Sequence, residues 1–156
     1  MLEIAIPSRD ALRLEYLALD VNGTVALDGQ LIAGVGERLD KLSKLLGIWL
    51  VSADTQGTLA SLADNLTVKA RLLQPGDEAV QKAALVAELG ADHVVAIGNG
   101  ANDAAMLRQA ALGIAVLGGE GLSAACWEAA DVIVPDIGAA LDLLLRPRRL
   151  IATLRA

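Results

Sequence analysis

In YLALDVNGTVALDG (16–29), an apolar run ends on Asp20, and Asn22, Gly23 and Thr24 follow at once. A carboxylate that closes a strand can simply cap a helix or bind a turn. Followed by Gly–Thr it has a second use. The backbone can turn sharply and aim N–H groups, including that of Gly23, at an anion. Asp20 could then attack phosphorus, provided a cation offsets the repulsion between carboxylate and phosphate. A second stretch, IGNGANDAAML (97–107), turns through Gly98 and Gly100 and brings Asn102 and Asp103 to or near a helix start. Both are ordinary N-cap types. Beside Asp20, however, Asp103 is a candidate second carboxylate for Mg²⁺, which takes hard oxygen ligands and keeps several waters. In LVSADT (50–55), the hydroxyl of Ser52 stands at a strand end, suited to a local turn or to a phosphate oxygen. Lys82, in PGDEAVQKAALVAELG, is set among Ala, Val and Leu. Most helical lysines are solvated, but one fixed here could neutralise charge shared by Asp20 and a phosphate.

The elements that must position these residues alternate in kind. Short β-branched runs lie at 2–6, 12–21, 48–53, 67–73, 93–98, 112–118 and 131–135. Ala/Leu-rich, helix-like pieces lie near 35–46, 56–64, 77–89, 102–110, 121–129 and 137–145. In the first of these, Val35, Leu39, Leu42 and Leu46 recur at the 3–4 spacing of one buried face. Strands such as VVAIG and IAVLG are apolar throughout, as expected of a parallel sheet covered on both faces. The alternation predicts an α/β, doubly wound three-layer sandwich with a mainly parallel central sheet. The first two strand pieces are expected to form an N-terminal hairpin turning at SRD. One domain over 1–156 is expected, with no linker or repeat. In such a sheet, ligands bind beyond the carboxyl ends of the strands. Asp20 and Asn22, Ser52 and Asp54, and Asn99, Asn102 and Asp103 all fall there, delivered by three separate strands.

Composition narrows the classes further. The net charge of −6 argues against nucleic acid as a partner, because phosphate neutralisation needs clustered Lys and Arg. The basic segment RPRRLIATLR (146–155) reads as a solvated helix. No apolar run approaches the roughly 18 residues of a membrane span, and the start does not read as a signal peptide. A cytoplasmic protein without membrane contact is therefore expected. The single Cys126 reads as a small buried hydrophobe, and the single His93 as a helix–strand junction residue. GNGAND lacks the third glycine of a dinucleotide fingerprint, and no GxxxxGK[ST] occurs. With 54% hydrophobic residues and no Phe, the core must be aliphatic, a composition also compatible with a homo-oligomer.

Taken together, DVNGT, Ser52, Lys82 and GNGAND resemble the haloacid dehalogenase-like superfamily of phosphotransferases. Its Asp-x-Asp-Gly-Thr loop, Ser/Thr strand end, Lys and Gly-Asp-Gly-x-x-Asp loop occur in the same order. LVSADT, PGDEAVQK and VVAIGNGANDAAML are similar, more closely, to the phosphorylation domain of P-type ATPases and to the soluble P-type ATPase-like proteins. The resemblance implies Asp20 as phosphoryl acceptor, and Ser52 and Lys82 as phosphate binders alongside Gly23 and Asn102. It implies Mg²⁺ held by Asp20, the backbone carbonyl of Asn22, and the side chains of Asn99 and Asp103. It also implies a capless member, since the gaps between the motifs leave room only for a short hairpin around VALDGQLI. Its substrate would be a phosphorylated compound, small or macromolecular.

Two departures bear on rate. Asn22 replaces the Asp that ordinarily protonates the leaving group and activates water. An amide has no proton to give near neutrality, and general acid–base help is worth about 10²–10⁴-fold. Asn99 replaces a metal-binding Asp, keeping an oxygen and losing a charge. A slow phosphatase with weakened metal affinity is expected. The alternative is an attenuated regulatory or phosphate-binding module on the same fold.

Overall fold

The computed structural model describes residues 1–54, 57 and 59–156. Thr55, which ends LVSADT, and residues 56 and 58 of the helix expected near 56–64 lie outside the described residues. The chain opens with an antiparallel hairpin of β1 (Leu2–Ile4) and β2 (Leu12–Leu14), then enters the main sheet as β3 (Tyr16–Asp20). The strand expected over 12–21 is thus two strands. The break falls at Glu15, whose N–H donates to the His93 carbonyl and whose carbonyl accepts from Gly47. A second hairpin, β4 (Ala26–Leu27) and β5 (Gln30–Leu31), turns at Asp28 and Gly29 with φ of 50° and 77°. A two-residue loop with both φ positive matches the twist of its strands, which is why Asp–Gly serves there.

Helices and strands then alternate. First come α1 (Val35–Leu42), β6 (Gly47–Ser52), α2 (Leu59–Asp64) and β7 (Lys69–Leu72). Next are α3 (Glu78–Leu89), β8 (Val94–Gly98), α4 (Ala104–Gln109) and β9 (Leu112–Val116). The last are α5 (Ala124–Ala129), β10 (Val132–Val134), α6 (Ile137–Leu145) and α7 (Pro147–Leu154). The first helix is shorter than the 35–46 expected, since a turn takes over after Leu42, though Leu46 is still buried. The basic segment forms α7, with only Leu150 buried.

Six strands form one all-parallel sheet in the order β10-β9-β8-β3-β6-β7. From β3 the chain builds outward through β6 and β7, then returns to lay β8 on the other side of β3. That reversal is the switch point at which open α/β sheets bind ligands.

Period-2 alternation gives the two faces different side chains. Leu17, Leu19, Val95, Ile97, Leu112, Ile114 and Val116 pack with Val35 and Leu39 of α1 and with Leu141 and Leu144 of α6. The opposite face presents Ala18, Ala96 and Ala115 to Val86, Met106, Leu107 and Cys126. Small residues there let the helices come close. A Cβ on Gly113 would lie 2.6 Å from the Leu107 carbonyl oxygen. Asp20 shares the parity of Ala18, which directs its carboxylate toward the face covered by α3 and α4.

Candidate active site

The first turn of α3 is capped by Asp77, whose carboxylate accepts from the Val80 N–H. From that start, Lys82, Leu85 and Val86 fall on the buried face, and the ammonium of Lys82 is carried to the carboxyl end of β3. Lys82 Nζ donates to Asp20 Oδ1 at 2.8 Å and to Asp103 Oδ1 at 2.7 Å. Lys82 is 2% exposed, Asp20 6% and Asp103 0%, so this is a buried ion triad. Burying charge is tolerated only where it is paired and hydrogen-bonded.

Asp103 is fixed from its other side as well. Its Oδ2 accepts from the N–H groups of Asn99 and Gly100, each at 3.0 Å. Gly98 must lack a side chain, since a Cβ there would stand 2.6 Å from the same oxygen. The two carboxylates expected to share a metal are therefore brought together on one ammonium. Asp103 lies behind Lys82, with both oxygens engaged and its surface wholly covered.

The turn after β3 is tied down by one carbonyl: Val21 O accepts from Thr24, Val25 and Ala26. Gly23 sits at φ 78°, and its N–H donates to Ala26 O at 2.8 Å. The anion contact expected from the Gly23 N–H is thus replaced by a turn bond, and the glycine is required for its conformation. Thr24, fully buried, points its Oγ1 at both Asp20 Oδ2 (3.0 Å) and Asn99 Oδ1 (3.1 Å).

Asp20, Asn22, Ser52, Lys82, Asn99 and Asn102 line one pocket of about 240 Å³. Ser52 Oγ accepts from the Asp54 N–H (2.9 Å) and from Asn22 Nδ2 (3.4 Å), leaving its own proton for the pocket. Asn102 Nδ2 donates to Glu78 Oε2 at 2.6 Å. Glu78 and Glu120 also line the pocket and stand outside the motifs singled out from sequence. A signal for Glu120 was available, because GGEG follows the carboxyl end of a fourth strand. Glu78 follows an ordinary N-cap and carries no such signal.

Burial, and then repulsion from Asp103, push the Asp20 carboxyl up to about 6, against the opposing pull of Lys82 and Thr24. Burial alone would lower Lys82, but the two carboxylates outweigh it and hold the ammonium above its ordinary value. Burial raises the Cys126 thiol to about 11; fully covered, it donates to Gly100 O, a structural role. His93 Nδ1 donates to the Arg13 carbonyl, tying the N-terminal hairpin to the turn before β8.

The donor set fits a hard divalent cation. The single Thr24 hydroxyl proton serves two acceptors, Asp20 Oδ2 and Asn99 Oδ1, so one of them is short of a positive partner. The pocket lining carries the carboxylates of Asp20, Glu78 and Glu120 against one ammonium, that of Lys82, so negative charge is in excess there. All the candidate donors are oxygens, the type Mg²⁺ selects. With amides at 22 and 99, no three acidic, His or Cys side chains lie close enough together to hold a metal ion by themselves among the described residues.

Residues 77–135, which carry Lys82, Asn99, Asn102, Asp103 and Glu120, match the model of the haloacid dehalogenase-like hydrolase family. An uncharacterised protein of Methanocaldococcus jannaschii, MJ0073, is 43% identical over 84 residues, spanning 51% of this chain and 90% of that protein. Among solved structures, the chain is similar to the 3-deoxy-D-manno-octulosonate 8-phosphate phosphatase of Moraxella catarrhalis, solved with magnesium, phosphate and the sugar acid. The TM-score is 0.69 at 20% identity, covering 92% of this chain and 95% of that one. The cobalt-bound deoxy-D-mannose-octulosonate 8-phosphate phosphatase of Haemophilus influenzae gives a TM-score of 0.72 at 14% identity, covering 92% and 94%. The chain belongs to the haloacid dehalogenase-like hydrolases. No helix among the described residues is long and apolar enough to cross a membrane.

Proposed function

We propose that the protein is a slow, Mg²⁺-dependent phosphohydrolase or phosphotransferase working through a phosphorylated Asp20. The observation that carries this reading is the buried Lys82 ammonium held between Asp20 and Asp103 at the end of the central strand. An acid kept this close to a fixed cation can receive a phosphoryl group, because the charge it must approach is partly neutralised.

In this mechanism an Asp20 oxygen attacks the phosphorus of a phosphorylated compound, and the bond to the departing oxygen breaks with its electron pair. Lys82 and the Ser52 hydroxyl hold phosphate oxygens. Asp20, the Asn22 backbone carbonyl and the Asn99 amide oxygen would hold Mg²⁺, which supplies positive charge to the phosphate when bound. Asp103 positions Lys82 and the 99–100 turn in place of binding the metal itself. Water then cleaves the aspartyl-phosphate. Asn22 can hydrogen-bond but cannot transfer a proton, so both half-reactions forgo about 10²–10⁴-fold of acid–base help. A long-lived phosphoenzyme, as in the P-type ATPase-like resemblance, is the consequence. A capless, open pocket would admit a small phosphorylated compound or a phosphorylated macromolecule.

The amides at 22 and 99 also favour a second reading, a phosphate-binding module without turnover. An aryl phosphate assay with added Mg²⁺ separates the two. The enzyme reading expects activity that is lost in Asp20→Asn and raised in Asn22→Asp. Equal background in all three proteins would leave the binding module.

A further inference from the structure

The loop between β9 and α5 is built against the turn that follows Asp20. A Cβ on Gly118 would lie 3.1 Å from Gly23 O, and one on Gly119 would lie 3.1 Å from Leu27 Cδ2. Both glycines therefore let the loop come down onto residues 23–27. The residue it delivers is Glu120. A Cβ on Gly23 would collide with Glu120 Oε2 and lie 2.8 Å from its Cδ, and it would also lie 2.9 Å from Asn99 Nδ2. The carboxylate and the amide nitrogen thus border the same space, left open because Gly23 has no side chain. Asn99 Nδ2 donates in addition to Gly121 O at 3.3 Å, in the same loop.

We infer that Glu120 is a positioning residue for the metal end of the pocket. It restores the negative charge that Asn99 lacks, and it attracts the Asn99 amide nitrogen so that Oδ1 stays turned toward Asp20 and Thr24. The inference rests on the Mg²⁺ reading above and adds a residue to it. Groups that orient a metal ligand from outside are typically worth about 10–100-fold in metal affinity.

Calorimetric titration of Mg²⁺ into the full chain tests this without reference to turnover. Glu120→Gln is expected to weaken binding about 10–100-fold with no change in the metal-free unfolding midpoint, because Glu120 is exposed. Asn99→Asp, which puts the charge on the ligand itself, is expected to restore affinity in the Glu120→Gln background. Glu120→Gln binding Mg²⁺ as tightly as the parent would overturn the inference. So would weakened binding that Asn99→Asp fails to recover. A parent chain that binds no Mg²⁺ would remove the reading on which the inference stands, whereas binding lost in Asp20→Asn but kept in Glu120→Gln would remove the inference alone.

Discussion

Two ion pairs of nearly equal length sit in opposite surroundings. Arg38 Nε donates to Asp142 at 2.9 Å between α1 and α6, in a crevice of about 340 Å³ also lined by Glu37, Lys41 and Arg146. Lys82 donates at 2.8 and 2.7 Å to two carboxylates in a smaller pocket. The larger crevice has charges of both signs open to water and no strand end within its lining. Solvent already satisfies such groups, so the bridge joins two helices and little else. Beside the smaller pocket Asp20, Lys82 and Asp103 are themselves buried, and each charge depends on the others. Distance alone does not separate the pairs. Burial at the carboxyl end of a parallel sheet does.

Substitutions should sharpen that contrast. Asp20→Asn is expected to take phosphatase activity to background, measured as aryl phosphate turnover with Mg²⁺. Asn22→Asp should act in the opposite direction, raising turnover by about 10²–10⁴-fold; an unchanged rate would mean that proton transfer is not what limits this site. Lys82→Met leaves two buried carboxylates facing each other and should cost about 3–5 kcal/mol of stability in denaturant titration near neutral pH. The loss should shrink as pH falls and Asp20 takes a proton. Arg38→Ala should shift the same curve far less. A comparable loss at both sites would break the comparison.

The pH dependence is smaller but carries a definite sign. The folded Asp20 pKa, about 6, lies above the ordinary 3.8. Its contribution to stability is therefore fully present below the unfolded value and lost as pH rises through about 6. Between these limits the metal-free parent should lose more stability than Asp20→Asn, read as unfolding midpoints across that range. Activity measured at a fixed Mg²⁺ concentration should fall on the acid side, because a protonated Asp20 cannot attack. Added Mg²⁺ should move that limb to lower pH by favouring the ionised form.

Much of the fold was legible because its signals are local. Apolar runs without alternation report a buried parallel strand, and the short gap between motifs left room for the hairpin around VALDGQLI. The break at Glu15 was not legible. It depends on bonds to Gly47 and His93, partners remote in sequence. At the site, residue types and strand ends pointed to Asp20, Ser52, Lys82 and Asn99, which do converge. The order of the charges was hidden, because spacing cannot reveal that Asp103 stands behind Lys82 with its oxygens taken. Glu120 had a strand-end signal in GGEG, but what it reaches was hidden for a related reason. Its place comes from two glycines fitting against a turn about a hundred residues earlier, a contact that exists only in the folded chain.

The most direct test is covalent. The protein would be incubated with a small phosphoryl donor and Mg²⁺, quenched in acid, and its peptides mapped by mass spectrometry. Phosphate on Asp20, persisting longer in the parent than in Asn22→Asp and absent from Asp20→Asn, is the expected result. Phosphatase turnover with no phosphate on Asp20 in any variant, or with the phosphate on another residue, would contradict the account.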